Sequence, residues 1–580
     1  MLRSWHHTAS RRAFLLSLLV LALYGWIAWK LYFYGILRKK NYRPFVDGTH
    51  QVSRGRSARR GAILDRNGTV LALTQPLIEV GVDPFVASPE DRPLWPRLAE
   101  LLGIGLEDIE AALTRQYILK EGKRTKLRWQ KLGTLRGEAA HEALQNLRIR
   151  GIYGLRRSER VYPCGHVASH VIGFVNREGL AVSGVERALD FFLRGHEGCL
   201  SSECDGRRRE LAQFRHFEIL PQNGANVLLS LDIFIQNAVE ALLDRWEQRH
   251  HPQGMSVLVS DATTGELLAL GNRPSFDPNA YAQAAPDDLR NRAITDCYEP
   301  GSVFKIVPVS LGLEWRVLKP EQIFDCSCES VDFGGRRHPL PRDHRPMGRL
   351  SVLEILSRSS NRGVAQIALR LGPRQLHAAA QLFGFGERTG YGFDGEAKGI
   401  LYPPSRWDAL SITRLPMGHA LAATPLQVHQ AMGVLASGGY LLRPRILGAV
   451  VEESGEEILH PSPDIRRRIL SPATVRLVRA ALSNPEKMLL SGVHCAGKSG
   501  TSQKIIGGRY SNEHHIASFS GFFPLENPQV LITVVLDDPQ VESGVAWGMR
   551  LAFPLFKKLA KRIIRHREIP PSPRNFSAKG

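Results

Sequence analysis

A serine and a lysine three residues apart are the first candidates for chemistry in this 580-residue sequence. Ser302 follows a Pro-Gly pair and precedes an apolar run, which predicts a turn entering a helix with Lys305 on the same face. A serine hydroxyl is a weak nucleophile at neutral pH, and a desolvated lysine with a lowered pKa can act as its base. Because Ser-x-x-Lys also occurs by chance, the motif alone does not identify a catalytic site.

Two further polar clusters could complete such a site. Ser359-Ser360-Asn361 ends an apolar-periodic segment. Its first hydroxyl could relay a proton and its amide could hold a substrate amide or the lysine, although a helix cap explains the same residues. Lys498-Ser499-Gly500-Thr501 precedes a β-like run and predicts an edge strand that presents a cation, two hydroxyls and a close-approach backbone. The plain alternative for this cluster is a hairpin turn.

The elements that must position these residues begin near Ala225. The segments NVLLSLD and SVLVSDATTGELLALG predict strands, the latter pair joined by a Thr-Thr-Gly turn. Helical patterns follow, among them IFIQNAVEALLDRW and PATVRLVRAAL, and HIASFSGFFP and QVLITVVLDDP predict late strands. Early strands, central helices and late strands predict one α+β domain over residues 225–565, with a sheet between helices.

The N-terminal segment 13–37 is almost entirely apolar apart from Lys30. As a helix it is long enough to cross a hydrocarbon core of about 30 Å. Bulky aromatics and the sequence RKK end the run, which favours an uncleaved anchor over a signal peptide or a buried core helix. Basic residues flank both ends, so they leave the orientation open. Residues 1–12 would be a short tail and residues 38–59 a polar linker.

Residues 60–224 mix alternating runs such as VLALTQ with helical stretches such as DRPLWPRLAELLG, which predicts a second α+β region. Its end, 199–224, is polar and predicts a connector or an exposed hairpin. Near the C-terminus, Leu555, Leu559 and Ile563 lie at helical spacing among basic residues. This amphipathic helix would pack on its own domain or contact a membrane or polymer. Residues 566–580 are predicted to be a disordered tail.

The composition excludes an intrinsically disordered chain and indicates the charge of a partner. Hydrophobic residues make up 43% and charged residues 23%, which is typical of globular proteins. The net charge of +20 indicates an anionic partner, and the anchor and the lack of a nucleic-acid motif argue against nucleic acid.

Seven cysteines exclude a dense disulfide scaffold, although Cys326–Cys328 and Cys199–Cys204 could pair outside the membrane. The cysteine and histidine spacings fit no standard zinc pattern, and we predict no metal and no cofactor.

In this order the three polar clusters match the S-x-x-K, S-x-N and K-[ST]-G signature of penicillin-binding proteins and class A β-lactamases. The chain resembles a class B penicillin-binding protein, most closely the division-specific members. Similar segments extend along most of the chain: RGAILDRNG from Arg60, RVYP from Arg160, GVER from Gly184, and LRNRAITDCYEPGSVFK. Lys-Ser-Gly stands where many class B enzymes carry Lys-Thr-Gly.

The resemblance implies an α+β architecture in three parts. Segment 13–37 would be a single transmembrane helix, 60–224 an elongated, non-catalytic pedestal or dimerisation domain, and 225–565 a serine β-lactamase-like transpeptidase domain with an antiparallel sheet flanked by helices. It also implies a place in the bacterial cytoplasmic membrane, with residues 1–12 inside and the catalytic domain outside.

The resemblance and the chemistry together imply a role for each residue of the candidate site. Ser302 would be the acylated nucleophile and Lys305 its base. Ser359 and Lys498 would relay a proton toward the leaving amine, and Asn361 would orient the peptide.

The Lys-Ser-Gly-Thr strand would hold the other end of the substrate. Ser499 and Thr501, on either side of Gly500, would bind the terminal carboxylate, and the N–H groups of Ser302 and Thr501 would form the oxyanion hole. The implied reaction breaks the terminal D-Ala–D-Ala bond of a peptidoglycan stem peptide and passes the acyl group to a neighbouring amine.

Expected partners are stem peptides, β-lactams as inhibitors, the membrane, a polytopic glycosyltransferase and other division proteins. Three alternatives stay open. One is the elongation-specific relative, and a second is a scaffold without activity. The third is a β-lactam sensor or hydrolase on the same fold; a hydrolase needs a base for deacylation, which the sequence does not locate.

Overall fold

A computed structural model describes residues 3–41, 51–120, 123–205, 210–484, 488–541 and 544–573 of the protein. The α-helices within these residues, in chain order, are α1 (Arg3–Tyr32), α2 (Trp95–Leu102), α3 (Leu106–Thr114), α4 (Glu138–Leu147), α5 (Ser169–Ile172), α6 (Gly184–Ala188), α7 (Asp190–Leu193), α8 (Ile233–His250), α9 (Arg292–Thr295), α10 (Ile306–Glu314), α11 (Val352–Arg358), α12 (Asn361–Leu382), α13 (Ser411–Arg414), α14 (Pro425–Ala436), α15 (Pro472–Leu482) and α16 (Gly548–His566).

The strands form several sheets and short hairpins. They are β1 (Gln51–Arg56), β2 (Ile63–Leu64), β3 (Val70–Val82), β4 (Tyr117–Lys120), β5 (Lys123–Lys126), β6 (Gln130–Arg136), β7 (Ile152–Val161), β8 (Gly198–Cys204), β9 (Glu210–Ile219), β10 (Asn226–Leu229), β11 (Gly254–Asp261), β12 (Leu267–Arg273), β13 (Ile323–Asp325), β14 (Ser330–Phe333), β15 (Arg336–Pro339), β16 (Arg349–Ser351), β17 (Ile400–Leu401), β18 (Leu421–Ala422), β19 (Tyr440–Leu442), β20 (Leu447–Val451), β21 (Glu457–Leu459), β22 (Ile465–Arg468), β23 (Leu489–Leu490), β24 (Val493–His494), β25 (Ala496–Ile506), β26 (Arg509–Phe523) and β27 (Val530–Asp537).

The chain divides into two units, and the smaller one combines Met1–Arg59 with Arg194–Gly224. Helix α1 continues into a π-helical turn at Phe33–Leu37, and the stretch Ala13–Leu37 is long and apolar enough to cross a bilayer. The same unit holds a three-stranded sheet in the order β1-β8-β9. The hairpin predicted within 199–224 is therefore present.

The segment 38–59, which we expected to be a linker, departs from that expectation at β1. Residues 51–56 pair antiparallel with β8, from Gln51 opposite Glu203 to Arg56 opposite Gly198. This strand is short and polar, so the sequence has no apolar alternation that would reveal it. Residues 42–50 of the expected linker lie outside the described residues.

The larger unit combines Arg60–Leu193 with Ala225–Gly580, and its first sheet is seven-stranded. The strands β2, β3, β6 and β7 come from the N-terminal region. Strand β10 pairs parallel with β2 on one side and antiparallel with β20 on the other. One sheet and one hydrophobic cluster thus cross the boundary that we placed between residues 224 and 225.

The second sheet of this unit is antiparallel and has the order β12-β11-β27-β26-β25. Helices α8 and α16 bury their apolar sides on one face, where Leu555, Leu559 and Ile563 are fully buried. Helices α10, α12, α14 and α15 cover the other face around a larger cluster. The predicted antiparallel sheet flanked by helices is therefore confirmed, and the C-terminal amphipathic helix packs its apolar side on its own domain.

The predicted disordered tail is wrong for residues 569–572. Ile569 is buried against the α8–α16 layer. The Ser572 N–H donates to the carbonyl of Gly492, and its hydroxyl accepts from the N–H of His494, both at 2.9 Å. One apolar anchor followed by two backbone contacts is enough to order this short segment. Residues 574–580 of the tail lie outside the described residues.

None of the seven cysteines, all of which are described, is in a disulfide. Cys199 and Cys204 lie five residues apart on one strand, β8, so their Cα atoms are about 17 Å apart at the usual rise along a strand. A disulfide requires less than about 7 Å, so the expected Cys199–Cys204 pair is wrong. The Cys326–Cys328 pair is also absent. The described residues contain no group of three or more metal-ligating side chains.

The segments RGAILDRNG, RVYP and GVER meet at one buried carboxylate. Glu186 is fully buried; its two oxygens each lie 2.7 Å from a guanidinium nitrogen, one of Arg60 and one of Arg160. The hydroxyl of Tyr162 also donates to Glu186 at 3.2 Å. A carboxylate with two guanidinium partners holds three distant pieces of chain together, and neither cation is left uncompensated.

We therefore expect Glu186→Ala to lower the free energy of unfolding by about 3–5 kcal/mol. It leaves the buried guanidinium group of Arg160 without its counter-ion, and Arg60 with Asp190 alone. Thermal and urea unfolding of the full chain measure the loss. Glu178→Ala, at an exposed carboxylate nearby, is the control and should change little. Equal stabilities of the two variants would contradict the structural role of Glu186.

Candidate active site

Ser302 and Lys305 lie on one tight helical turn. Residues Gly301–Lys305 form a 3₁₀ helix that leads into α10, so Ser302 and Lys305 share a face as predicted. Lys305 is fully buried and Ser302 is half-buried. Ser302 is thus partly accessible to solvent, whereas the side chain of Lys305 is shielded from water.

The Ser359-Ser360-Asn361 cluster joins two helices. Ser359 ends α11 in the left-handed region, with φ of 60° and ψ of 39°, and Ser360 caps α12 by accepting the N–H of Gly363 at 3.0 Å. The amine of Lys305 donates to the carbonyl oxygen of Ser359 and to Oδ1 of Asn361, both at 2.6 Å. The Ser359 hydroxyl lies 3.2 Å from the same amine. The cluster is a helix cap, and it also holds the lysine.

Lys498 approaches the same hydroxyl from the edge of the five-stranded sheet. Its amine lies 2.9 Å from Oγ of Ser359 and 3.3 Å from the carbonyl oxygen of Ser499. Strand β25 is the last in the sheet order, as the predicted edge strand requires. One hydroxyl therefore stands between the amines of Lys305 and Lys498.

Burial sets the charge on the two lysines. Desolvation, followed by the positive charge of Lys498, holds the pKa of Lys305 well below its ordinary value, against a smaller opposing effect of Asp343. Desolvation lowers the pKa of Lys498 to about 8. Lys305 donates two N–H groups to oxygens that carry no proton, the carbonyl oxygen of Ser359 and the amide oxygen of Asn361. A neutral Lys305 therefore keeps its lone pair for a proton, and the hydroxyl of Ser359 can pass a proton between the amines.

The Lys-Ser-Gly-Thr strand contacts the serine turn directly. A Cβ atom at Gly500 would lie 2.7 Å from the carbonyl oxygen of Pro300 and 2.4 Å from Oγ of Ser518, so only glycine permits this approach. The hydroxyl of Thr501 accepts the N–H of Gly548, the first residue of α16, at 3.1 Å. Because this bond uses the oxygen of Thr501, the hydroxyl proton stays available to an anion.

Asp343 completes the site and was not predicted from the sequence. It lies on the loop between β15 and β16, and its carboxylate accepts the Ser360 hydroxyl at 2.8 Å, the Arg362 N–H at 3.2 Å and the Asn361 N–H. It thus caps the N-terminus of α12, where the helix dipole favours an anion. The backbone of Arg342 accepts Nδ2 of Asn361 at 2.8 Å and so fixes which way that amide points.

The described geometry brings the predicted residues together. Direct hydrogen bonds connect Lys305, Ser359, Asn361 and Lys498, and Ser302 shares its turn with Lys305. Ser499 contributes its carbonyl oxygen, and Gly500 and Thr501 line the serine turn. A serine beside a neutral amine, with a hydroxyl relay and an edge strand with hydroxyl donors, is suited to acyl transfer.

Two known protein families match the chain. Residues 255–561 match the penicillin binding protein transpeptidase domain, and residues 56–229 match the penicillin-binding protein dimerisation domain.

The most similar curated relatives include Stage V sporulation protein D of Bacillus subtilis, 29% identical over 535 residues, or 90% of this chain and 80% of that protein. Probable peptidoglycan D,D-transpeptidase PenA of Neisseria gonorrhoeae is 30% identical over 518 residues, or 87% of this chain and 83% of PenA. Peptidoglycan D,D-transpeptidase FtsI of Escherichia coli is 28% identical over 522 residues, with coverages of 89% and 85%.

Among solved structures, penicillin binding protein 3 from Mycobacterium tuberculosis in complex with ampicillin is similar. The TM-score is 0.66 at 25% identity, and the match covers 90% of this chain and 99% of that one.

The coupling between the two lysines predicts a pH effect. In Lys498→Met the positive charge that helps to lower the pKa of Lys305 is gone, so that pKa should rise. The rate at which a fluorophosphonate labels Ser302 should then reach half its plateau at a higher pH. Lys504→Met is the control, because Lys504 is on the same strand but pairs with Asp537 at 2.7 Å. A midpoint that is unchanged or lower in Lys498→Met would contradict the coupling.

Proposed function

We propose that this chain, which belongs to the class B penicillin-binding proteins, is a membrane-anchored peptidoglycan D,D-transpeptidase and a target of β-lactams. The observation that carries the proposal is the Ser359 hydroxyl, placed 3.2 Å from the amine of Lys305 and 2.9 Å from that of Lys498 beside Ser302. The names of PenA and FtsI support the substrate class, and the ampicillin complex of the Mycobacterium tuberculosis protein supports β-lactam binding.

Acylation begins with proton transfer from Ser302 to the neutral amine of Lys305. The serine oxygen attacks the carbonyl carbon of the penultimate D-Ala, and the amide bond to the terminal D-Ala breaks. The leaving nitrogen takes up a proton delivered through Ser359 from Lys498, so free D-Ala departs as an amine and an ester remains on Ser302.

The substrate is held on both sides of the nucleophile. Thr501 and Ser499 bind the terminal carboxylate, with the positive charge of Lys498 nearby, and Asn361 orients the peptide. The N–H groups of Ser302 and Thr501 stabilise the oxyanion of the tetrahedral intermediate.

An amine of a neighbouring stem peptide then attacks the ester, and Ser302 regains its proton. A hydrolase on this fold would instead need a base, such as a free carboxylate, that activates water for deacylation. The carboxylate of Asp343 is fully engaged at the start of α12. That of Glu299, close to Ser302 in sequence, accepts bonds from Ala420 and Tyr510. These engagements support transfer to an amine over hydrolysis.

We propose that this chemistry takes place outside the cytoplasm. The segment 13–37 anchors the protein as a single span, with residues 1–12 inside, because the stem-peptide substrate lies beyond the membrane. Residues 60–224 are the non-catalytic pedestal and 225–565 the transpeptidase domain. A polytopic glycosyltransferase supplies glycan strands, since class B proteins carry no polymerase.

The proposed mechanism predicts a stable acyl-enzyme. A labelled penicillin should form a stable adduct on Ser302, because the ester persists until an amine attacks it, and Ser302→Ala should form none. Intact-protein and peptide mass spectrometry measure the adduct. Ser310→Ala, at a buried serine two turns further along, is the control and should keep the adduct.

Two results would contradict the proposal. A transient adduct with steady hydrolysis of the drug would indicate a hydrolase. An adduct that persists in Ser302→Ala would place the nucleophile elsewhere.

For the cellular role we propose septal wall synthesis, which the resemblance to the division-specific members implies. Depletion in the source bacterium should then give filaments, because elongation continues while septa fail. Microscopy with a fluorescent D-amino acid measures both. Rounded cells would indicate the elongation-specific role, and a defect confined to spores would indicate a role like that named for the Bacillus subtilis relative.

A further inference from the structure

Glu299, three residues before Ser302, has a carboxylate that contacts two other parts of the fold. Its side chain is 12% exposed. One oxygen accepts the N–H of Ala420 at 2.9 Å and the hydroxyl of Tyr510 at 3.0 Å. The other lies 2.9 Å from Nδ1 of His419. One side chain therefore joins the serine turn to the segment 418–420 and to the hairpin between β25 and β26.

The serine turn packs directly against the segment 418–420. The N–H of Gly301 donates to the carbonyl of Gly418 at 3.2 Å, and a Cβ atom at Gly418 would lie 2.0 Å from the carbonyl oxygen of Gly301. Ala420 is in the left-handed region, with φ of 59°, which is unfavourable for a residue with a Cβ atom. The bond from its N–H to Glu299 holds this conformation in place.

Tyr510 belongs to the far part of the hairpin that carries the Lys-Ser-Gly-Thr strand. It pairs with Ile505 after a register shift between Gln503 and Ile505, so this part follows an irregularity in the ladder. Its ring meets that of His419 edge-on at 5.6 Å. Burial and the adjacent Glu299 carboxylate raise the pKa of Tyr510 to about 12, so the hydroxyl remains a donor at neutral pH.

We propose that Glu299 is a positioning residue: through Tyr510 and His419 it holds the outer part of the β25–β26 hairpin closed against the serine turn. The hairpin and the turn form two sides of the space in which a donor peptide lies along β25. The contact sets how closely Thr501 and Ser302 approach the same substrate. This inference rests on the proposed function, because it concerns how that site is assembled.

The test compares Tyr510→Phe with wild type in the full-length protein in detergent. Tyr510→Phe removes one hydroxyl that donates to a carboxylate and keeps the ring. We expect faster hydrogen exchange at residues 503–511, and a second-order rate of Ser302 acylation by a labelled penicillin that falls about tenfold. The change should be mainly in the concentration for half-maximal rate, because an open hairpin weakens binding before the bond forms.

The controls separate positioning from a general loss of structure. Tyr402→Phe makes the same chemical change at an exposed tyrosine elsewhere in the domain and should alter neither readout. Glu299→Gln keeps one oxygen acceptor for Tyr510 and should retain more of the rate than Glu299→Ala. Adding Tyr510→Phe to Glu299→Ala should cause little further loss, because the partner is already gone.

The outcomes distinguish this inference from the proposed function. If wild type forms the Ser302 adduct and Tyr510→Phe matches it in both exchange and rate, the positioning role is overturned and the function stands. If wild type forms no adduct, the function fails, and unchanged exchange at residues 503–511 in Tyr510→Phe then overturns the contact as well. Fully additive losses in the double variant would also overturn it.

Discussion

The hydroxyl of Ser359 lies within hydrogen-bond distance of two buried lysine amines. Two ammonium groups this close together and shielded from water cannot both stay protonated. Desolvation disfavours the charged form of each, and the charge of one disfavours the charge of the other. The balance is resolved by a neutral Lys305 beside a Lys498 whose pKa of about 8 keeps it largely protonated at neutral pH. A base and an acid of the same residue type thus arise from their surroundings, and the rest of the domain must maintain those surroundings.

Several features of the fold maintain this pair. Ser359 adopts a left-handed conformation between two helices, which turns both its carbonyl and its hydroxyl toward Lys305. Asp343 caps the second of these helices and so fixes the position of Asn361. Gly500 lets the edge strand lie against the serine turn, because a side chain there would collide with Pro300. Each of these constraints acts on the backbone, so the backbone around the two lysines determines where their amines lie.

The sequence predicted the residues that meet at the candidate site better than the residues that support them. Ser302, Lys305 and Lys498 belong to short motifs whose order and spacing are diagnostic, and the strands and helices around them have clear periodicity. Asp343 and Tyr510 reach the site through loops and a hairpin end, and no local pattern marks them. Strand β1 is polar and pairs with a strand far along the chain, and β10 joins the N-terminal sheet, so neither pairing could be read from composition. The Cys199–Cys204 disulfide that the sequence left possible is absent, because spacing in sequence does not show that both residues lie on one extended strand.

The N-terminal motifs meet at Glu186 and the motifs of the candidate site meet at Ser359, but the two clusters differ in how their charges are balanced. In both places, segments distant in sequence converge on one polar group in a dry environment. At Glu186 two guanidinium groups and a tyrosine contact a carboxylate with no exposed surface, so no substrate can reach it. At Ser359 two amines of the same type meet, of which Lys498 is charged and Lys305 is neutral, and the serine beside them is only half-buried. Complementary charges give the first cluster a structural role, whereas a charged amine facing a neutral one allows the second cluster to transfer protons. This difference explains why the motifs of residues 60–187 belong to the framework of the protein while those near 302, 359 and 498 belong to its chemistry.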